Sequence, residues 1–595
     1  MNRYLLPIVA FLAAFVLAHC GSPKSSVQLP SLDDRVDNFG LYDQVDAFHR
    51  LYYYSDAEAI VLYVHGNGCP IVRNGLPGLQ AVRDEFAPQG VKFFMINSNL
   101  QDNRASIAQE AKDFGVDFTI LDDAEQLVAE DLGIHRTAEA IVINPKNWKI
   151  VYRGPVDDRL SYETQKQEAS KHYLADALTA HLKDELIAEA IIESPGCLVA
   201  VPYRERPTIE AITYTKDIAP LLKENCQTCH QEGGIAPWAM TGYDVVRGWS
   251  PMMREVLRTR RMPPWHADPH YASFSNDISL SGEERRKIVH WVEMGAPRGE
   301  GDDPLADLPG LNTAWRYGEP DLIIDLEPME IPATGVIDYQ YYERELPFEN
   351  NKWVKAVEFM PDNRAALHHA LVSVTYPDGF EAEERRSRWF DGLFATYAPG
   401  AEPEVAPEGS GRYLPAGSKL LFQVHYTTTG KPESDRSQLG IFFADEAPEK
   451  EFLTTGPVNP RLMLPPESKH TDVQAVQQFD SPITLYGMSP HMHFRGKAMT
   501  YTAIYPDGKE EVLLNVPNYN FNWQRYYQLA EPRELPAGTQ LLVDAVFDNS
   551  SQNLYNPSPQ DTVYWGEQSF EEMMIGYITY IKEGEEVAQM SEAKQ

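Results

Sequence analysis

The apolar residues of this chain change their spacing twice, and each change marks a different architecture. Residues 59–66 (Ala-Ile-Val-Leu-Tyr-Val-His-Gly) are a continuous apolar run, the pattern of a strand buried on both faces. A second apolar strand is predicted from Val91 to Ile96, and helical spacing fills Ile71 to Phe86 between them. Further helices are predicted near 105–114 and 124–132, with strands at 140–144 and 149–152. Strand, helix, strand, then helices and two closing strands predict an α/β domain over residues 46–187. From 209 to 300 the spacing turns helical. Residues 218–225 lead into a cysteine motif, and Ser281 with Glu284 forms a capping box opening an amphipathic helix to Met294. Beyond residue 319 come short alternating runs, frequent Pro/Gly turns and few helix signals, the pattern of β-sandwiches or jelly rolls.

The β half repeats itself. Leu414-Pro-Ala-Gly-Ser-Lys-Leu-Leu-Phe-Gln-Val-His425 returns 121 residues later as Leu535-Pro-Ala-Gly-Thr-Gln-Leu-Leu-Val-Asp-Ala-Val546. Tyr376-Pro-Asp-Gly379 likewise returns as Tyr505-Pro-Asp-Gly508. Two tandem all-β domains are expected, at 319–465 and 466–595, after linkers at 20–45, 188–208 and 301–318.

At 595 residues the length suggests ~4 domains. The formal charge of −35 disfavours a nucleic-acid partner and fits a solvated surface or docking to a basic redox partner. Asn2 and Arg3 precede an apolar run, Tyr4 to Ala18, too short for a stable membrane span. Residues 1–19 therefore read as an export signal. Leu17-Ala18-His19-Cys20 resembles a bacterial lipobox, although His19 stands where that pattern has a small residue. The resemblance implies a lipidated Cys20, membrane attachment through that lipid, and a periplasmic or outer-membrane location; a plain cleaved signal is the alternative.

The run Cys226-Gln-Thr-Cys229-His230 is the attachment signature of c-type haem: two thiols bond the porphyrin and the adjacent imidazole reaches the iron. A zinc half-site would want a second Cys/His pair nearby, and none follows. Met262, in Arg261-Met262-Pro263-Pro264-Trp265, is the candidate sixth ligand, and that loop resembles the Met-Pro-Pro-Trp loop of some bacterial cytochrome domains. Met240, Met252, Met253 and His266 are its rivals. An all-α cytochrome c-like domain is expected over 209–300.

The α/β stretch resembles the thioredoxin/peroxiredoxin superfamily, with Gly68-Cys69-Pro70 in the active-loop position and Cys69 at a helix start, where the dipole lowers a thiol pKa. Val72 replaces the second cysteine of a C-x-x-C motif, and Thr137-Ala138 lacks the expected cis-proline. Either a one-cysteine peroxidase or thiol partner survives, or the domain is retained for assembly, the reading these departures favour. Cys197 is the other unassigned thiol, so a Cys69–Cys197 bridge stays open.

In the β half, Leu367-His368-His369-Ala370, Gln423-Val424-His425-Tyr426, Pro490-His491-Met492-His493 and Glu572-Met573-Met574 occur in that order. His491 and His493 would project from one face of a strand. Adjacent His368 and His369 could share an ion through a bulge or through different ring nitrogens. Alone, His425 in mid-strand reads as a core residue. Together these motifs resemble the type II copper monooxygenases, the family of peptidylglycine α-hydroxylating and dopamine β-monooxygenases, over roughly residues 320–590. The resemblance implies two coppers: an electron-transfer ion on His368, His369 and His425, and a catalytic ion on His491, His493 and Met573, with Tyr577 nearby. The family's disulfides are absent, Ser489 stands in place of its peptide-carboxylate arginine, and Ile575 replaces an asparagine, all of which argue against peptide amidation. The expectation is an exported copper monooxygenase hydroxylating a C–H bond with O2, its electrons supplied through the fused haem or an external donor. The alternatives are an electron-transfer or copper-handling protein without hydroxylase activity, and a thiol peroxidase.

Overall fold

The computed structural model describes residues 32, 35–161, 165–202, 212–306, 308, 314–377, 380 and 392–584. Cys20 and residues 1–19 lie outside them. The first unit is a seven-stranded sheet: β1 (Gly40–Asp43), β2 (Phe48–Arg50), β3 (Ala59–His65), β4 (Val91–Asn97), β5 (Ile120–Asp122), β6 (Ala140–Asn144) and β7 (Lys149–Gly154), in the order β2-β1-β5-β4-β3-β6-β7. Central β3 runs parallel to β4 and antiparallel to β6, and all its residues are buried. Its continuous apolar run has a direct cause. Val61 and Tyr63 face α1 (Pro70–Phe86), α2 (Arg104–Phe114) and α4 (Tyr173–Leu182) through Leu79, Ile107 and Leu178. Ile60, Leu62 and Val64 face Val128 and Leu132 of α3 (Leu127–Leu132) on the other side. Helix α3 starts later than the spacing predicts, because the Asp123 carboxylate accepts the Val128 and Ala129 amides and Gln126 turns left-handed (φ 58°) ahead of it.

The described residues between 212 and 306 hold three α-helices, Ala219–Asn225, Tyr243–Arg258 and Gly282–Glu293, around Tyr214, Leu222, Val246, Leu257, Ile288 and Trp291. The capping box at Ser281 and Glu284 is present. The middle helix, with Pro251 inside it, has no counterpart in the sequence reading. This helical segment sits between the α/β unit and the β half. Arg104 reaches Asp268 and Arg258 reaches Asp131 on one side. On the other, the Ser275 amide donates to the Gln528 carbonyl and Trp265 packs edge-on to Tyr527.

The remainder is all-β. A four-stranded sheet orders Gln340–Glu345, Lys419–Tyr426, Leu367–Thr375 and Leu393–Tyr397; another orders Thr471–Gln478, Gln540–Phe547, Gly496–Ile504 and Glu510–Val516. A nine-stranded sheet backs both, because Lys450–Thr455 pairs parallel with Ser410–Leu414 and antiparallel with Met574–Lys582. The repeat survives at the turns. Gly417 (φ 80°) and Gly538 (φ 85°) adopt the same left-handed conformation, which glycine takes without strain. A Cβ on either would lie against Pro377 or Pro506 of the matching Tyr-Pro-Asp-Gly segment.

Candidate metal centres

The first cluster is built by two paired strands. His369 on Leu367–Thr375 lies directly opposite His425 on Lys419–Tyr426, and the register shifts between Leu367 and His369. That bulge is what lets an adjacent pair face one point: it turns His368 toward its neighbours. Ring centroids are 5.2 Å (His368–His369), 5.2 Å (His368–His425) and 4.9 Å (His369–His425) apart. One nitrogen from each lies within 4.8 Å of the others. Burial lowers the pKa of His368 to about 4, of His425 to about 3, and of His369 well below the ordinary value. All three are therefore neutral lone-pair donors at pH 7. The buried Nδ1 of His368 meets no hydrogen-bond partner among the described residues, a cost of roughly 1–3 kcal/mol unless something binds there. Three imidazoles with one orphaned nitrogen fit a borderline cation such as copper.

The second cluster lies on Ile483–Met492 and the adjoining loop. His491 stands opposite Ile575 of Met574–Lys582, so continuing the register sets His493 opposite Met573. The two imidazoles are 5.3 Å apart, and buried Met573 packs with Ile575, Tyr577 and Leu393. His491 Nδ1 donates to Gln524 Oε1 at 2.6 Å, leaving Nε2 as the available lone pair. Burial lowers the pKa of His491 to about 4 and of His493 well below its ordinary range. Two neutral imidazoles and a thioether form a donor set suited to Cu(I). Fully buried Glu572 holds the framework by accepting the backbone amides of His493, Arg495 (3.0 Å) and Met573 (3.0 Å). Burial pushes its pKa up to about 8.

One aromatic pair separates the clusters. Phe521 lies 5.8 Å from His369, 6.0 Å from His425 and 6.1 Å from His493, while Tyr339 lies 4.8 Å from His425 and 6.5 Å from His493. His470 belongs to neither cluster; it is exposed and paired with Asp472.

Cys226, Cys229, His230 and Met262 line one cavity of about 810 Å³, and His368 lines it too. Cys226 and Cys229 are unpaired thiols. His230 Nδ1 donates to the Trp238 carbonyl at 3.1 Å, which fixes the tautomer and leaves Nε2 as its acceptor nitrogen. Unbonded thiols, a free imidazole nitrogen and a thioether on one large cavity fit a covalently held haem. The rivals to Met262 are placed elsewhere: Met240 and Met253 sit in the helical core, Met252 is exposed, and buried His266 is not on the cavity wall. In the α/β unit, Cys69 lies beside Cys197, their sulfurs 3.1 Å apart.

The AhpC/TSA family model matches residues 32–158, and that of the copper type II ascorbate-dependent monooxygenase C-terminal domain matches 451–594. The chain carries a thioredoxin-like domain and a copper monooxygenase C-terminal domain. Among solved structures, a hypothetical protein of Sinorhizobium meliloti 1021 is 25% identical, covering 29% of this chain and 95% of its own, with a TM-score of 0.27. An uncharacterized conserved protein of Geobacillus kaustophilus is 24% identical over 30% of this chain and 93% of its own, TM-score 0.25. Peroxidoxin BcpB of Mycobacterium tuberculosis is 20% identical over 25% of this chain and 92% of its own, TM-score 0.20. No curated protein matches the chain.

His491, His493, Met573 and Tyr577 thus fall within the copper monooxygenase C-terminal domain, whereas His368, His369 and His425 precede it. Nothing in the sequence pattern marks Gln524 or Arg495, and Glu572 stands out there only as a neighbour of Met573. Each works across the fold, and no spacing rule links Gln524 to His491, 33 positions away. Loss of a partner that orients a metal-binding histidine typically costs about 10–100-fold in metal affinity. Gln524→Ala is expected to weaken copper at the His491 cluster by about that factor, read by competition with a Cu(I) chelator, with the His368 cluster unchanged.

Proposed function

We propose that this protein is an exported copper-dependent monooxygenase that hydroxylates a C–H bond with dioxygen, taking electrons from a c-type haem in the same chain. The observation that carries the reading is the paired donor sets, three imidazoles on one sandwich and two imidazoles plus a thioether on the next, facing one aromatic pair. His368, His369 and His425 would hold one copper, His491, His493 and Met573 the other, and Cys226, Cys229, His230 and Met262 the haem. When bound, copper supplies dioxygen activation and one-electron redox change, and haem supplies one-electron storage.

The chain's own residues prepare that chemistry. Gln524 and the Glu571 carbonyl hold the Nδ1 atoms of His491 (2.6 Å) and His493 (3.4 Å), so each ring keeps one orientation and one tautomer. Burial keeps every imidazole neutral, so no proton competes with the metal near pH 7. Phe521, Leu393, Ile575 and Tyr577 present apolar surface around the second cluster and limit water there. The cavity shared by Cys229 and His368 supports the haem as internal electron source. The three α-helices among the described residues 212–306 support a cytochrome c-like assignment for residues 209–300, and the apolar run Tyr4 to Ala18 followed by Cys20, read as an export signal, supports a periplasmic or outer-membrane-anchored lipoprotein.

Purified protein matured with haem should bind two coppers per chain and consume oxygen only when copper and a reductant are both present. Stoichiometric zinc after copper-replete expression, or no copper-dependent oxygen uptake across a broad metabolite screen, would sink the monooxygenase reading in favour of electron transfer or copper handling.

A further inference from the structure

The thioredoxin-like domain has Val72 where a second motif cysteine would stand, yet its site contains a second thiol. Cys69 caps α1, with its sulfur 3.1 Å from Thr137 Oγ1 and 3.1 Å from Cys197 Sγ. Cys197 comes from the segment leaving the domain, 128 positions later, and that segment is clamped in place. The Thr137 amide donates to the Cys197 carbonyl at 2.9 Å, the Cys197 amide donates to Thr137 Oγ1 at 2.9 Å, and the Val199 amide donates to the His135 carbonyl at 2.8 Å. Arg136 adds a bond to the Gly196 carbonyl at 3.0 Å. The approach is so close that a Cβ on Gly196 would lie 1.7 Å from the Thr137 carbonyl oxygen. None of these backbone contacts involves a sulfur, so the same docking holds the two thiols together in either redox state.

The two sulfurs are not equivalent. Burial pushes the Cys69 thiol up, but hydrogen bonds from Thr137, the Val72 amide and Cys197 outweigh it and bring its pKa below the ordinary thiol value. Burial, with Cys69 alongside, pushes Cys197 up. Cys69 is the more buried of the pair, and Cys197 is half-buried at the surface.

We propose that Cys69 and Cys197 form a reversible two-electron dithiol–disulfide couple, in which the linker supplies the thiol the C-x-x-C position lacks. The substrate class is a disulfide, or a dithiol in the reverse direction. Cys69 thiolate attacks one sulfur of the substrate disulfide, forming a mixed disulfide and releasing the first substrate thiol. Cys197 then attacks Cys69 Sγ, forming the Cys69–Cys197 bond and releasing the second. The substrate gains two electrons and two protons as two thiols, and the protein loses both to become the disulfide. Because Cys197 is already docked, its attack is intramolecular and outruns any external thiol.

The test is peptide mapping of the native full-length chain after equilibration in glutathione buffers of graded potential. Wild type is expected to titrate between two free thiols and a Cys69–Cys197 cross-linked peptide, with little glutathione on Cys69. Cys197→Ser should instead accumulate glutathione on Cys69. Gly196→Ala, which keeps both thiols but wedges the segment off Thr137, should behave like Cys197→Ser. If Gly196→Ala loses its circular-dichroism signature of the fold, Cys197→Ser alone decides. The proposal is overturned if no Cys69–Cys197 peptide forms, if that cross-link resists dithiothreitol in the native chain, or if wild type and Cys197→Ser accumulate equal glutathione.

Discussion

His493→Ala will hold one copper per chain in place of two, and its copper-dependent oxygen uptake will fall to the rate of free copper in buffer. The residue sits at the junction of three constraints. Its ring is a donor of the second cluster, its amide is anchored by Glu572, and its other ring nitrogen is held by the Glu571 carbonyl at 3.4 Å. Removing the imidazole leaves His491 and a thioether, too few donors to retain a catalytic ion. The first cluster lies on different strands, so its copper should remain and keep its spectroscopic signature. Copper analysis with electron paramagnetic resonance on the oxidised protein checks both halves. Loss of both ions together would show that the clusters are not separate sites, and undiminished uptake would move catalysis away from His493.

Cys226→Ala and Cys229→Ala should each lose tightly held haem or retain it through a single weaker linkage, and the double variant should contain none after acid–acetone extraction. Met262→Ala should keep covalent haem while losing the thioether–iron charge-transfer band, because its side chain lines the same cavity as the cysteine motif. In the double variant, oxygen uptake driven by an external donor that delivers its electrons through the haem should stop, whereas uptake driven by a small-molecule reductant that reaches the coppers directly should persist. Haem that extracts fully from the unaltered protein would refute covalent attachment. An unchanged charge-transfer band in Met262→Ala would pass the axial role to another residue.

What the sequence made legible follows from what its patterns encode. Strand β3 could be read because burial on two faces demands an unbroken apolar run; β4 also packs on both faces, with Lys92 alone of its apolar stretch exposed. The bulge at His368 is one of the two routes by which adjacent imidazoles could share an ion, the other being different ring nitrogens. His425 is ambiguous on its own, since a mid-strand histidine carries no mark of its partner; the strand register sets it opposite His369. The β1–β2 hairpin went unread because its strands are short and partly polar, and the Tyr243–Arg258 helix because Pro251 interrupts its signal. The roles of Gln524 and Glu572 are products of tertiary folding, joining residues 33 and 79 positions apart, whereas the cysteine count alone leaves a Cys69–Cys197 pairing open.

The strand Lys450–Thr455 gives the β half a property that neither sandwich has alone. It hydrogen-bonds on one side to the first repeat and on the other to the second, so the nine-stranded sheet crosses the junction without an edge. Cutting the chain between the repeats would bare the long apolar strand Met574–Lys582 along one side, an open template for intermolecular pairing. The duplicated halves therefore fold as a single cooperative unit, and unfolding either half dismantles both donor sets.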